Sequence, residues 1–119
     1  MDPHFEGVIF QTHASELVKR LGNPFPPFCV VDIRNQSAYQ AGHLPTAQHT
    51  STDQLAQGLP DGTEASTEFF VIGDGPDDPT IRQATQALRS HGAQRVVEFR
   101  GGMDEWRDYG FDVVRETAA

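Results

Sequence analysis

The chain has 119 residues, 37% apolar and 22% charged, which suits one soluble globular domain and excludes a fibre or a disordered tail. Nine Lys and Arg against seventeen Asp and Glu leave a formal charge of −8, a field that repels phosphate backbones and argues against nucleic acid as a partner. One cysteine cannot form an internal disulfide. No apolar run approaches the roughly 20 residues of a membrane span and no secretory signal is visible, so a reducing, cytoplasmic setting without membrane partners is expected.

In chain order, the apolar run from Gly7 to Phe10 predicts a short strand. Thr12 or His13 is placed to cap a helix whose apolar face is Leu17, Val18 and Leu21, and Gly22 ends it. Asn23-Pro24-Phe25-Pro26-Pro27 must be loop, because proline removes backbone donors and holds the preceding residue extended. Phe28 to Ile33 is nearly continuously apolar, the pattern of a central parallel strand covered on both faces.

Residues 35–41 predict one or two helical turns, broken by Gly42-His43-Leu44-Pro45. The polar stretch Gln48 to Gln57 contains another short helix, and Leu59 to Thr67 reads as a linker. Phe69 to Ile72 is a second buried strand that runs into Gly73-Asp74-Gly75-Pro76-Asp77-Asp78-Pro79, a segment too rich in Gly and Pro for regular structure.

A helix from about Thr80 to His91 follows, with Pro79 at its start, Ile81, Ala84, Ala87 and Leu88 on one face and Gly92 at its end. Arg95 to Phe99 is a further strand. Gly101-Gly102 turns into a short helix with Met103 and Trp106, and Gly110 precedes the apolar pair Val113 and Val114. Strands alternating with helices predict one α/β domain over residues 1–119, a five-stranded, mostly parallel sheet with helices on both faces.

Three stretches, in order, resemble the rhodanese-like (rhodanese homology) domain. Asp32-Ile33-Arg34 followed by Ala41-Gly42-His43-Leu44-Pro45 and Ala47 looks like the family's Asp-x-Arg strand end and Gly-His-Ile-Pro-Gly-Ala turn, with Thr46 where glycine is usual. The strand Phe69 to Ile72 with its loop and helix is the second stretch. Gly101-Gly102-Met103-Asp104-Glu105-Trp106 is similar to the family's Gly-Gly-x-x-x-Trp ending.

The resemblance implies a thiosulfate sulfurtransferase-like relative, and in that family the loop after the fourth strand begins with a nucleophilic cysteine. Converging amides and a helix N-terminus would stabilise its thiolate. Counting from the strand, the cysteine position falls on Gly73; counting back from Gly92, it falls on Gly75. Cys29, about 10 Å back along its own strand, cannot reach that loop and reads as a small core residue. If Gly73 holds the nucleophile position, Gly73→Cys is expected to place a thiol facing the helix N-terminus.

The degenerate active-site loop is therefore Gly73, Asp74, Gly75, Pro76, Asp77, Asp78, Pro79 and Thr80, with Arg82 beyond it. Its aspartates oppose anion binding, and Asp77 or Asp78 is placed to cap the helix. Three carboxylates in a Gly-rich loop are also a cation-site pattern, though the full Ca²⁺-loop spacing is missing. Arg82 resembles the family's loop arginine, but helix register puts Thr80 nearer that position. Asp32 and Arg34 are expected to support the loop, bonding its amides or pairing with each other. His43 and His49 lack a third ligand, so no metal or cofactor is expected.

The reading from residues and resemblance is a non-catalytic binding or regulatory module, meeting another protein or a small ligand at the loop. The alternative is a sulfurtransferase or phosphatase-like enzyme, or an accessory subunit of a sulfur-transfer or redox enzyme.

Overall fold

The computed structural model describes residues 9–116. Ten elements alternate along them: β1 (Phe10–Gln11), α1 (Ala14–Leu21), β2 (Phe28–Asp32), α2 (Gln36–Ala41), β3 (Gln48–His49), α3 (Thr52–Gln57), β4 (Glu68–Ile72), α4 (Pro79–Ser90), β5 (Arg95–Phe99) and α5 (Gly102–Asp108). The strands form one sheet in the order β1-β5-β4-β2-β3, every pairing parallel. Of the strand expected from Gly7 to Phe10, Gly7 and Val8 lie outside the described residues, and Phe10 begins β1.

The fifth strand is Gln48–His49, within the stretch read from sequence as polar with a helix. Two residues are too short to show a strand period, and pairing with Val31 and Asp32 of β2 makes them one. The helix expected there begins at Thr52, capped by Ser51 in a reciprocal capping box with Gln54.

Alternate residues of the central strands supply two cores. Val30, Phe70, Ile72, Val97 and Phe99 pack with Leu17 of α1 and with Met103 and Trp106 of α5. Val31, Phe69, Val71 and Val96 pack on the opposite face with Leu55 of α3 and with Ile81, Ala84 and Leu88 of α4. Because both faces are covered, β2 and β4 read as continuous apolar runs.

One helix start is completed from far away in sequence. His13 stands at the N-cap of α1 without a capping side-chain bond. The Ala14 N–H donates instead to the Glu105 carboxylate of α5. Trp106, 1% exposed, lies in edge contact with Phe99 and Phe111, and its indole N–H donates to the Asp112 carbonyl at 2.7 Å.

The turn Leu44-Pro45-Thr46-Ala47 closes with the Ala47 N–H donating to the Leu44 carbonyl at 3.1 Å, and Thr46 has φ of 67°. Proline followed by a positive-φ residue is the type II pattern, in which the third position favours glycine. A β-branched residue is held there against its steric preference.

Left-handed backbone costs an L residue roughly 1–2 kcal/mol, partly offset by the entropy glycine loses on folding. Thr46→Gly is therefore expected to stabilise the domain by about 0.5–1 kcal/mol, read by urea denaturation. Trp106→Ala should cost about 3–5 kcal/mol in the same measurement, and a loss under about 1 kcal/mol would contradict its role as an anchor.

Candidate functional site

In parallel α/β sheets the open ends of the strands gather at their carboxyl side, where loops lead into helix N-termini. Here Asp32, Ile72 and Phe99 share one register across β2, β4 and β5, so the segments after them meet at one edge. The central one is the loop 73–78, leading from β4 to Asp78, the N-cap of α4.

Asp78 organises this loop. Its Oδ1 accepts from the Thr80 N–H at 2.9 Å and the Thr80 hydroxyl at 2.6 Å. Its Oδ2 accepts from the Asp74 N–H at 3.0 Å, and the Asp78 N–H donates to the Gly75 carbonyl at 3.2 Å. Burial pushes the Asp78 carboxyl up. The Thr80 hydroxyl, the N–H groups of Asp74 and Thr80 and the charge of Arg100 outweigh that and hold it below the usual carboxylate range. Both oxygens are thus committed to donors, an arrangement opposite to that of a cation cage, while Asp74 and Asp77 stand exposed at the rim.

The two glycines that sequence counting offers for the nucleophile position differ sharply. A Cβ on Gly73 would lie 2.5 Å from Asp78 Oδ2 and 2.7 Å from Ile81 Cγ1, whereas one on Gly75 would have nothing within 4 Å. The expectation that Gly73→Cys gives a thiol facing the helix is corrected: the Asp78 carboxylate fills that space. Gly102, with φ of 64°, closes the loop from the other side, since a Cβ there would sit 3.4 Å from the Gly73 carbonyl oxygen.

Asp32 and Arg34 pair with each other, Arg34 Nη2 donating to Asp32 Oδ2 at 2.7 Å and Nε to Oδ1 at 3.0 Å, with both side chains buried. Of the two arrangements expected of them, bonding loop amides or pairing with each other, the pair is the one that forms. The same Nη2 of Arg34 also donates to the Gly42 carbonyl at 2.7 Å, so the pair holds the turn after α2. His43 and His49 belong to that same neighbourhood. His43 Nδ1 lies 2.8 Å from the Leu44 carbonyl and His49 Nε2 lies 2.7 Å from the Arg34 carbonyl, with Tyr39 stacked on the His43 ring.

Arg82 is no ordinary exposed helix arginine. Its Nε donates at 2.9 Å to Glu98 Oε2, and the ion pair lifts the guanidinium further above its already high range. Glu98 itself was missed by sequence reasoning. It lies in β5 with a fully buried carboxylate and also accepts from Thr85 and Arg100. The available signal was a lone acid inside Val96-Val97-Glu98-Phe99, on the strand face that looks at α4.

A parallel sheet whose central strand turns through a Gly-rich loop into a helix N-terminus defines the class of α/β domains that present chemistry at a strand end. The model of the rhodanese-like domain matches residues 13–109, and the chain belongs to that family. It is 28% identical over 82 residues to the thiosulfate sulfurtransferase GlpE of Tolumonas auensis, covering 69% of this chain and 74% of the relative. To GlpE of Pseudomonas fluorescens it is 33% identical over 78 residues, 66% of this chain and 69% of that protein. The Alr3790 protein of Anabaena superposes with a TM-score of 0.77 at 30% identity, covering 88% of this chain and 80% of that one.

The capping carboxylate makes a pH-dependent contribution with a definite sign. Replacing Asp78 by Ala should cost about 1 kcal/mol at neutral pH, the usual value of an aspartate N-cap. A carboxyl held below its unfolded value of about 3.9 contributes its full stability above that value and loses it as pH falls through the lower folded one. The difference in unfolding free energy between wild type and Asp78→Ala is therefore expected to be flat from about pH 8 to 5 and to shrink below about pH 4, followed by denaturation at each pH.

Proposed function

We propose that this rhodanese-like domain is a non-catalytic binding or regulatory module, with a partner protein or small ligand met at the rim of the 73–79 loop. The observation that carries the reading is the Asp78 carboxylate: it accepts the Asp74 N–H and lies against the space where a side chain at position 73 would begin. An amide-lined loop at a helix N-terminus favours an anion, and here the chain supplies that anion itself. Asp74 and Asp77 at the rim oppose a second one.

The lack of a loop thiol supports the same conclusion. A persulfide carrier needs a nucleophilic sulfur at the loop, and the sole cysteine, Cys29, is buried within β2 on the face packed against α3 and α4. Burial pushes its thiol up to about 11, so at neutral pH it is neither exposed nor ionised. On this reading Gly73 or Gly75 stands at the family's cysteine position, and the protein works in the cytoplasm without a cofactor.

Resemblance to proteins named thiosulfate sulfurtransferase favours one second reading, in which the domain accompanies a separate sulfur-transfer or redox enzyme. The two readings share the expectation that the purified chain has no turnover of its own.

Sulfur transfer from thiosulfate to cyanide should not exceed background, and activity that disappears in Cys29→Ser would overturn the proposal. Calorimetric titration with thiosulfate provides the complementary test. Wild type should not bind, whereas Asp78→Ser, which keeps a capping oxygen but removes the charge, should take the anion up. Equal binding by both proteins would show that Asp78 does not occupy the cup.

A further inference from the structure

The loop 73–78 has few apolar contacts of its own, since Asp74, Pro76 and Asp77 are exposed, so its position must be set by polar ties to the scaffold. Apart from the bonds around Asp78, one such tie leaves the loop among the described residues: Arg100 Nη1 donates to the Pro76 carbonyl at 2.8 Å. The same guanidinium donates through Nε to Glu98 Oε1 at 2.9 Å. Glu98 Oε2 takes the Arg82 Nε at 2.9 Å and the Thr85 hydroxyl at 2.7 Å, both from α4. One fully buried carboxylate on β5 therefore joins the loop to the helix that follows it.

We propose that Glu98 is the positioning residue of the loop: through Arg100 it fixes the Pro76 carbonyl, and through Arg82 and Thr85 it fixes α4, so that loop and helix keep one relative placement. The inference rests on reading the loop as the binding surface, but it concerns the order of the loop and not what binds there.

Charge balance explains why a carboxylate is required. Two guanidiniums converge on Glu98, and a neutral group between them would leave two like charges close together in a partly buried place. Burial pushes the Glu98 carboxyl up, yet the hydrogen bonds from Arg82, Thr85 and Arg100 overcome this and keep it ionised and below the usual range. Arg100, whose side chain is 22% exposed, is held at the protein surface by its two acceptors and forms the only part of the relay that touches the loop.

The test is site-resolved amide hydrogen exchange on the whole chain. In Glu98→Gln, the loop amides of Asp74 and Asp78 should exchange roughly tenfold faster or more, the factor expected when a charge-assisted hydrogen bond is lost. The amides of His43 and Val114, which bond each other's carbonyls at 2.8 and 2.9 Å away from the loop, should be unchanged. A uniform rise at all four positions would mean that Glu98 serves global stability only, and no rise at the loop would mean that it positions nothing; either overturns the proposal.

Should Glu98→Gln not fold, Arg100→Lys decides the matter, because it removes the arm to Pro76 and leaves the Glu98, Arg82 and Thr85 contacts in place. It is expected to speed exchange at Asp74 and Asp78, and Arg82→Lys is expected not to. Equal loosening by the two lysine variants would show that the loop is not held through Pro76. These readouts need no ligand, so their failure is distinguishable from failure of thiosulfate to bind after Asp78 is replaced.

Discussion

The first N–H groups of α4 have no acceptors within the helix, and the Asp78 carboxylate accepts that of Thr80. With the same carboxylate also accepting the Asp74 N–H, the chain between β4 and α4 is drawn into a closed turn. Gly73 must then be glycine because the carboxylate and Ile81 take the space a Cβ would need, and Gly102, in ordinary contact with the loop backbone, favours glycine because its φ is 64°. Loop shape and helix start follow from one anion being held at one place.

Around that anion, the carboxyl ends of the strands are wired by two buried charge systems. The Asp32 and Arg34 pair anchors the turn at Gly42, and Glu98 with Arg82 and Arg100 anchors α4 and the loop. Buried ion pairs contribute little net stability against well-packed apolar groups, but removing one partner is costly because the other charge is left uncompensated. Their effect here is placement: each carboxylate spends every oxygen on named donors, which leaves few alternative arrangements of the segments they join.

Sulfur chemistry looks different against this background. Cys29 occupies the apolar layer under α3 and α4, where burial suppresses the thiolate on which reactivity depends. The loop 73–78 carries three aspartates, two exposed and one partly buried.

Local information was enough for much of this protein. Proline and glycine delimit α4 within one residue of where it lies, the apolar runs mark β2, β4 and β5, and the spacing of Asp32-Ile33-Arg34, Gly42-His43-Leu44-Pro45 and Gly101-Gly102 with Trp106 carries the family resemblance. Thr46 shows how far such reading goes: its departure from glycine is visible in sequence, while the positive φ it must endure is visible only in the turn. What the tertiary structure alone decided are meetings between distant residues: Glu105 with the Ala14 N–H 91 positions away, Arg82 with Glu98, Arg100 with Pro76, and the two residues of β3 with β2. A turn or a helix cap is set by neighbours within a few residues, so its chemistry is written in order along the chain. A buried charge finds its partner through the packing of whole elements, and no local pattern specifies which arginine will face which acid.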